Sequence, residues 1–392
     1  MKLTFPENFL FGTSTAACQI ETAFEHDWIG VKSRDGGIFD RTTDHETRCE
    51  QDIEIIASLA PNYRMSLMWS KLQRAAYAEF NEDAVRHYHS LLRDLRSNKV
   101  QIMMVLHHFA NPTWFSTVGG WEKEENIPMW CDYAKKVVDE FGQYVLNWNT
   151  FNEPNLYTAL GWIAAEFPPY KKNLWTAQKV IKNIASAHEE LYRYVKEKYP
   201  ASQVGISHNC TVFKARNLTG RLPAAFFDWC FMEYAPGLFK NLDFFGMSYY
   251  AKIEFDPFPI TYLHTPNKIK ELKKKHDDMW EYYPAGLSES IRRYWRKYKL
   301  PIIITENGIC TADDEKRVHA IQDYMKEIKG CMDEGIKVHG YYHWSAWDNF
   351  EWNLGPTYKF GLYECDLQTM QRTKKISADV FSKLAYSKEI EV

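Results

Sequence analysis

The sequence predicts an α/β protein: a single closed (β/α)8 barrel that spans residues 1–392 and carries elaborated βα loops. Short apolar runs alternate about eight times with longer segments whose apolar residues recur at helical spacing. No G-x-G-x-x-G turn follows the first run, which counts against an open dinucleotide-binding sheet. The length of 392 residues suits one barrel, because such barrels range from about 200 to over 400 residues.

The chain alternates between the two element types from beginning to end. The predicted strands are Phe9–Ala17, Asn62–Met68, Val100–His107, Tyr144–Phe151, Gln203–His208, Leu242–Tyr249, Pro301–Glu306 and Lys337–Trp344. The predicted helices are Cys49–Leu59, Asn81–Asn98, Pro128–Phe141, Leu174–Lys198, Ala224–Glu233, Gly286–Lys299, Lys316–Glu334 and Ser377–Leu384. The charge-dense run Lys268–Asp278 is expected to lie on a solvated loop after the sixth strand.

Composition and charge exclude several classes of partner. The formal net charge of −3 shows no basic stripe, so we expect no nucleic-acid partner. The N-terminal segment lacks a signal-peptide core and no apolar run approaches spanning length, so we expect no membrane partner. The eight cysteines form neither a C-x-x-C pair nor a zinc spacing. They therefore predict reduced thiols, no metal site and a cytoplasmic location.

Two of the predicted strands end in glutamate, at Asn152-Glu153-Pro154 and at Thr305-Glu306-Asn307. The carboxyl ends of barrel strands carry the chemistry of this fold. Cleavage of a glycosidic bond requires one protonated carboxyl group and one ionised carboxylate, and a separation of about 5–5.5 Å gives retention. The pair therefore predicts a retaining glycosidase. The residues alone leave an inverting mechanism open, and Glu153-Pro154 alone is equally typical of a helix entry.

Motifs spread over nearly the whole chain carry a resemblance to glycoside hydrolase family 1, the β-glucosidase family. They are Phe5-Pro6, Phe9–Ala17, Gln19–Glu21, Tyr63–Ser66, Leu106–His108, Trp114-Phe115, Thr150–Pro154, Ile304–Gly308, His343–Ser345, Asp348–Trp352 and Phe360–Leu362. The resemblance implies that Glu153 is the acid/base and that Glu306 is the nucleophile. It also implies a subsite for the non-reducing sugar, made of Gln19, His108, Asn152, Trp344, Glu351 and Trp352, with Phe360 at its edge.

The side chains suit these roles, but each has a structural alternative. Gln19, His108 and Glu351 offer donors and acceptors for sugar hydroxyls, and Trp344 offers an apolar face. Arg64 is expected to keep Glu306 ionised, and Tyr250 to hydrogen-bond it. The alternatives are an interior salt bridge for Arg64, a core histidine at His108, and pure packing for Trp344 and Trp352. Trp114 and Trp121 fit the leaving-group side or packing equally well. His107 points to the opposite strand face from His108, which argues against a metal site of two histidines.

We therefore expect a retaining exo-β-glycosidase that acts on terminal unphosphorylated β-D-glucosides, and also on β-D-galactosides or β-D-fucosides. A carboxylate at Glu351 would repel a 6-phosphate, whereas the resemblance implies a serine there in phospho-β-glycosidases. The alternatives are a 6-phospho-β-glycosidase and a non-catalytic glycan-binding homologue. The expected partner is a small β-glycoside or oligosaccharide, with no metal or cofactor. Cys18 and Ser248 depart from the family pattern, and the loops on the aglycone side depart from it most.

Overall fold

Eight parallel strands form a closed barrel in the computed structural model, which describes residues 1–256, 258–259 and 277–392. The strands are β1 (Leu10–Ser14), β2 (Asn62–Ser66), β3 (Gln101–His107), β4 (Val145–Asn152), β5 (Gln203–Asn209), β6 (Phe244–Tyr249), β7 (Ile302–Asn307) and β8 (Val338–Trp344). They follow each other around the ring in chain order, and β8 pairs with β1 to close it. All eight carboxyl ends therefore lie at one mouth.

An outer helix follows each barrel strand. These helices are α1 (Cys49–Leu59), α2 (Glu82–Ser97), α3 (Ile127–Phe141), α4 (Leu174–Lys198), α5 (Arg221–Asp228), α6 (Ala285–Tyr298), α7 (Asp314–Asp333) and α8 (Ile376–Ser387). The connections between strands and outer helices add the short helices Ala17–Ile20, Trp69–Leu72, Thr113–Thr117 and Pro154–Trp162 and the π-helix Trp229–Tyr234. They also add the 3-10 turns Gly120–Glu122, Glu124–Asn126, Gly142–Tyr144 and Pro236–Leu238.

In the described part of the chain, three small sheets lie outside the barrel. Lys2–Thr4 pairs with Glu389–Glu391, and Tyr363–Cys365 pairs with Arg372–Lys374. Val212–Ala215, Lys252–Asp256 and Phe258–Pro259 form the third sheet beside α5. None of the helices that the structure describes is both long and apolar enough to cross a membrane.

The predicted (β/α)8 barrel is confirmed, with two differences in its elements. The first predicted strand ends early, at Ser14, because the Ala17 N–H donates to Ser66 Oγ at 2.9 Å and the chain turns into a short helix. The predicted helix Ala224–Glu233 begins at Arg221 and widens into a π-helix after Asp228. Residues five apart align in a π-helix, and Asp228 and Glu233 both bind Arg293 of α6.

The charged run predicted as a solvated loop lies mostly outside the described residues, since only Asp277 and Asp278 of it are described. Asp277 is buried, and its Oδ1 accepts hydrogen bonds from the backbone N–H groups of Met279 and Trp280 at 2.7 and 2.5 Å. The expectation of solvation is therefore wrong for Asp277, whereas Asp278 is exposed as expected. The assignment of residues 1–392 to one domain stays a prediction.

The barrel interior changes in character along its axis. Met103, Phe244, Ile303 and Tyr342 form a separate apolar cluster inside the ring. Toward the mouth, the interior becomes polar. Arg64 of β2 is fully buried there and donates hydrogen bonds to Glu306 and Asn152. The apolar cluster closes the inner end of the barrel, so chemistry is confined to the mouth.

Candidate active site

Glu153 and Glu306 line one cavity of about 220 Å³ at the mouth of the barrel. Glu306 lies in β7, and Glu153 directly follows β4. The backbone of Glu153 is left-handed, with φ 42° and ψ 54°, and its N–H donates to the Ser207 carbonyl of β5 at 2.7 Å. Such a conformation is strained for a non-glycine residue, and this bond to β5 holds the chain in it.

Glu306 is held by a cation and a phenol. Arg64 Nη1 donates to Glu306 Oε1 at 2.6 Å, and the Tyr250 hydroxyl donates to Oε2 at 3.1 Å. The pKa of Glu306 is raised by burial, and the charge and hydrogen bond of Arg64 and the hydrogen bond of Tyr250 offset part of this rise. These neighbours favour the ionised form of Glu306 against the cost of burial.

Glu153 has the opposite surroundings. Burial and the negative charge of Glu306 raise the pKa of Glu153 to about 8. Asn209 Nδ2 donates to Glu153 Oε1 at 3.0 Å and lowers this pKa, but no cation contacts Glu153 among the described residues. Glu306 therefore ionises first, and Glu153 keeps its proton through neutral pH.

Arg64 also orients Asn152 and His108. Its Nη2 donates to Asn152 Oδ1 at 2.6 Å, so the amide Nδ2 faces His108 Nε2, at 2.9 Å. Arginine only donates, so this contact fixes the amide, and His108 Nε2 accepts. Burial keeps the pKa of His108 well below its usual value, so the neutral ring carries its proton on Nδ1. That nitrogen has no partner in the described part of the chain and remains free to donate.

Gln19 and Glu351 present further unpaired polar atoms. Gln19 Nε2 donates to Asn349 Oδ1 and to the Phe350 carbonyl, at 3.1 and 2.8 Å. Gln19 Oε1 and Glu351 Oε2 are buried and lack partners among the residues described. Burial, assisted by the charge of Glu306, raises the pKa of Glu351 to about 8. Buried polar atoms without partners are costly, so a ligand hydroxyl would satisfy them.

The structure brings most of the predicted site residues into the cavity wall. These are His108, Asn152, Glu153, Tyr250, Glu306, Trp344, Glu351, Trp352 and Phe360. Arg64 and Gln19 lie behind this wall. The Trp344 and Trp352 rings lie 6.0 and 5.8 Å from the His108 ring. Both indoles line the cavity.

Trp114 and Trp121 lie away from the cavity and are packing residues. Trp121 Nε1 donates to Asn111 Oδ1 at 3.0 Å, and Trp114 Nε1 donates to the Gln73 carbonyl at 3.2 Å. His107 also contacts Asn111, through Nε2 at 3.0 Å, and it points away from His108 as predicted. In the described ranges, no group of three or more His, Cys, Asp or Glu side chains is arranged to hold a metal ion.

Several cavity residues escaped the sequence analysis. Asn209 ends β5, and the rule that strand ends carry the chemistry was sufficient to find it. Arg34, Glu166 and Asn353 meet at the outer end, where Arg34 Nη2 and Asn353 Nδ2 donate to Glu166 Oε2 at 2.5 and 2.9 Å. The remaining wall is apolar: Phe109, Leu156, Leu160, Ala164, Phe167, Ala251, Met279, Trp280 and Leu354. Residues in irregular loops have no periodic spacing, so the sequence does not indicate which of them line a cavity.

The two departures from the family pattern have local explanations. Cys18 is a buried thiol whose Sγ lies 3.7 Å from His26 Nε2, and burial raises its pKa well above the usual value. It is a packing residue and not a nucleophile. Ser248 lies beside Glu153 and lowers the pKa of that carboxyl group. The amide that donates to Glu153 comes from Asn209 on the neighbouring strand β5.

Comparisons with known proteins agree with this geometry. The model of the family described as "Glycosyl hydrolase family 1" matches residues 1–217 and 233–390. Beta-glucosidase A of Acetivibrio thermocellus is 27% identical, over 96% of this chain and 97% of its own length. A beta-galactosidase of Pyrococcus woesei is 26% identical, over 97% and 96%.

Solved structures resemble the whole chain as well. The beta-glycosidase from Pyrococcus horikoshii superposes with a TM-score of 0.88 and 31% identity, covering 100% of this chain and 97% of that one. The family match and this likeness both run through the barrel and through the loops that carry Glu153 and Glu306. The chain therefore belongs to glycosyl hydrolase family 1 and is a glycoside hydrolase.

Proposed function

We propose that the protein is a retaining exo-β-glycosidase that hydrolyses terminal unphosphorylated β-D-glucosides, with Glu306 as nucleophile and Glu153 as acid/base. One observation carries this proposal: two buried carboxyl groups share a cavity, but only Glu306 is paired with a cation. The pair thus meets the requirement for one ionised and one protonated carboxyl group.

In the first step, Glu306 attacks the anomeric carbon while Glu153 gives its proton to the departing glycosidic oxygen. The bond between the anomeric carbon and that oxygen breaks, and a glycosyl ester forms on Glu306. Esterification removes the negative charge that raises the pKa of Glu153, so this pKa falls and Glu153 becomes ionised, as a general base must be. It takes a proton from water, and the resulting hydroxide releases the sugar with its β configuration retained.

We propose that the sugar lies against Trp344 and Trp352. His108 Nδ1–H, the Asn152 amide, Gln19 and Glu351 then bind its hydroxyls, and Phe360 borders the subsite. The unpaired buried atoms of His108, Gln19 and Glu351 support this assignment. Tyr250 and Arg64 act through Glu306. Because the Pyrococcus woesei relative is named a beta-galactosidase, we include β-D-galactosides. We also include β-D-fucosides, which differ from these only at carbon 6.

Two features argue against 6-phosphoglucosides. Within the described cavity wall the only arginine or lysine is Arg34, which is at the outer end and is paired with Glu166. Among the described wall residues, a phosphate would therefore find no free cation beside Glu351. Because the pKa of Glu351 is about 8, repulsion by its carboxylate adds to this effect mainly at alkaline pH.

The outer cavity supports an aryl or alkyl aglycone, because Leu156, Leu160, Phe167 and Leu354 line it. We further propose that residues 1–392 form one catalytic domain and that the reaction needs no cofactor, since two carboxyl groups and water suffice. A cytoplasmic location is consistent with eight free cysteines.

Proton NMR of the first-formed sugar from p-nitrophenyl β-D-glucoside tests the mechanism. We expect the β anomer first, and an initial α anomer would overturn retention. With azide, Glu306→Ala should yield the α-glycosyl azide and Glu153→Ala the β-glycosyl azide, because azide then replaces the missing nucleophile or attacks the glycosyl ester. The opposite pattern would exchange the two roles. Faster turnover of the 6-phosphoglucoside would overturn the sugar assignment.

A further inference from the structure

Six large apolar side chains are exposed in the first turn of α4 and along α5 with the residues that flank it. Their exposed fractions run from 53% to 83%, and we call the group the apolar patch: Leu174, Trp175, Leu218, Leu222, Phe226 and Trp229. Leu222, Phe226 and Trp229 are spaced by four and three residues, so they share one side of α5 and of the turn that follows it. A contiguous exposed apolar surface of this kind marks an interaction site.

The two helices present this patch as one surface. Gln178 Nε2 of α4 donates to the Tyr234 hydroxyl at 3.2 Å, and the Tyr234 ring stacks on Trp229 with ring centres 5.4 Å apart. In a βα barrel, the outer helices begin at the carboxyl ends of the strands. The part of the patch made of Leu174, Trp175, Leu218 and Leu222 therefore lies on the same side of the molecule as the cavity mouth.

Positive charge frames the patch. Residues 171–182 contain four lysines and no acidic residue, and residues 214–227 contain one lysine, two arginines and no acidic residue. Lys171 pairs with Glu122, and Lys214 with Glu289. The other five are exposed and have no carboxylate partner among the described residues: Lys172, Lys179, Lys182, Arg216 and Arg221.

Two of the three nearby acidic groups are paired with cations outside the patch, and the third, Asp256, accepts a hydrogen bond from the Asn217 amide. Asp228 and Glu233, which flank Trp229, both pair with Arg293, with distances of 2.7 Å, and Glu233 also pairs with Lys297. The chain as a whole has a net charge of −3, so the excess of cations is local. The partner of this surface is therefore expected to be apolar and anionic at once.

We propose that the apolar patch docks the enzyme on an anionic lipid surface, with the cavity mouth toward the lipid. Leucine, phenylalanine and tryptophan on one helix side, with lysine and arginine around them, are the composition of interfacial helices. A second copy of the chain is a poorer partner, because a two-fold contact would bring the same unpaired cations together. This proposal does not depend on which glycoside is cleaved.

The sequence-based expectation of no membrane partner rested on the lack of a spanning run. That reasoning concerns insertion across a bilayer. Adsorption to the surface needs an exposed apolar face with cations around it, and only the tertiary structure brings these residues together.

Flotation of the full-length protein with phosphatidylcholine vesicles, with and without phosphatidylglycerol, tests the proposal. We expect binding only to the anionic vesicles and its loss at high salt, because screening weakens the attraction. The double variant Trp175→Ser/Leu222→Ser should lower the lipid partition coefficient by about tenfold or more. Lys179→Gln/Arg221→Gln should have a similar effect of roughly tenfold, because each cation near the surface contributes to binding.

Matched controls lie on the opposite side of the ring, on α8. Ile376→Ser and Lys383→Gln remove an exposed apolar side chain and an exposed cation there and should bind lipid as wild type does. All variants should hydrolyse a soluble chromogenic glycoside at the wild-type rate, which shows that they fold. Equal binding to neutral vesicles, no binding to either, or unaltered binding by the patch variants would overturn the proposal. Analytical ultracentrifugation that shows an oligomer broken by Trp175→Ser/Leu222→Ser would also overturn it in favour of self-association.

Discussion

Glu153 and Glu306 carry the same carboxyl group, but their neighbours give them different protonation behaviour. Both are buried, which raises the pKa of each. Glu306 also faces Arg64 and Tyr250, whereas Glu153 faces the charge of Glu306 and one amide. The different roles that we propose for the two glutamates therefore follow from their contacts and not from residue type.

The Asn209 amide provides a direct test of this balance. Its hydrogen bond to Glu153 lowers the pKa of that group, so Asn209→Ala should raise it above about 8. We expect the alkaline limb of kcat/KM to move to higher pH, because this limb reports ionisation of the acid in the free enzyme. Asn183→Ala, which removes a buried amide bonded to the Trp121 carbonyl, serves as control. An alkaline limb that stays in place or moves down would contradict the assignment.

Glu351 makes a prediction about stability. Its folded pKa of about 8 lies above the ordinary carboxyl value of 4.5, so folding binds a proton between these limits. Wild-type stability should therefore fall as pH rises through this window, and Glu351→Gln should remove that loss. Urea unfolding at pH 5 and pH 8 should show a stability gain for Glu351→Gln that is larger at pH 8. A gain that is equal at both values, or larger at pH 5, would contradict the raised pKa.

At the level of elements, the ends of neighbouring strands carry the site. Gly308 directly follows β7, and a Cβ added there would lie 2.2 Å from the Trp344 carbonyl oxygen of β8. The two strands that carry Glu306 and Trp344 therefore approach each other too closely for any side chain at this position. This close approach sets the spacing between the strand that carries Glu306, the proposed nucleophile, and the strand that carries Trp344.

Gly308→Ala should therefore destabilise the fold and lower kcat, because β7 and β8 must separate. Gly330→Ala is the matched control: Gly330 lies inside α7 with no atom within 4 Å of the added Cβ. We expect this second change to stabilise the protein by roughly 0.5–1 kcal/mol, through helix propensity alone. Thermal unfolding and initial rates of both variants check the prediction, and similar behaviour of the two would refute the steric argument.

At the level of the whole molecule, loops from distant parts of the chain close the outer cavity. Arg34 follows β1, Glu166 follows β4 and Asn353 follows β8, and the three side chains meet through hydrogen bonds. Apolar side chains from the same loops line the space behind them. The size and polarity of the leaving group that fits are thus set by the assembled mouth and not by one element.

Leu160→Asn should therefore lower kcat/KM for octyl and p-nitrophenyl β-glucosides by about tenfold, with a smaller effect on methyl β-glucoside. The loss should be larger for the longer apolar leaving group, since it contacts more of the wall. Leu146→Asn at the opposite end of the barrel serves as control. Equal losses on all three substrates would contradict an apolar aglycone site.

The helices and strands and the strand-end positions of the two glutamates were predictable from the sequence. Both α1 and α4 agree with the predicted bounds, and Glu153 and Glu306 lie at strand ends as expected. Periodicity, turn residues and strand-end motifs are local along the chain, so one sequence is enough to read them. The residues of the proposed sugar subsite were predicted from the resemblance to glycoside hydrolase family 1.

Features that depend on contacts between residues far apart along the chain required the tertiary structure. The structure places Trp114 and Trp121 in packing positions away from the cavity, Asn209 beside Glu153, and Arg34 against Glu166. It also brings the residues of the apolar patch together. It also gives Glu306, but not Glu153, a neighbouring cation that opposes the rise in pKa on burial, and it raises the pKa of Glu351. Burial and electrostatic contact act through space, and their outcome depends on distances that only the closed barrel defines.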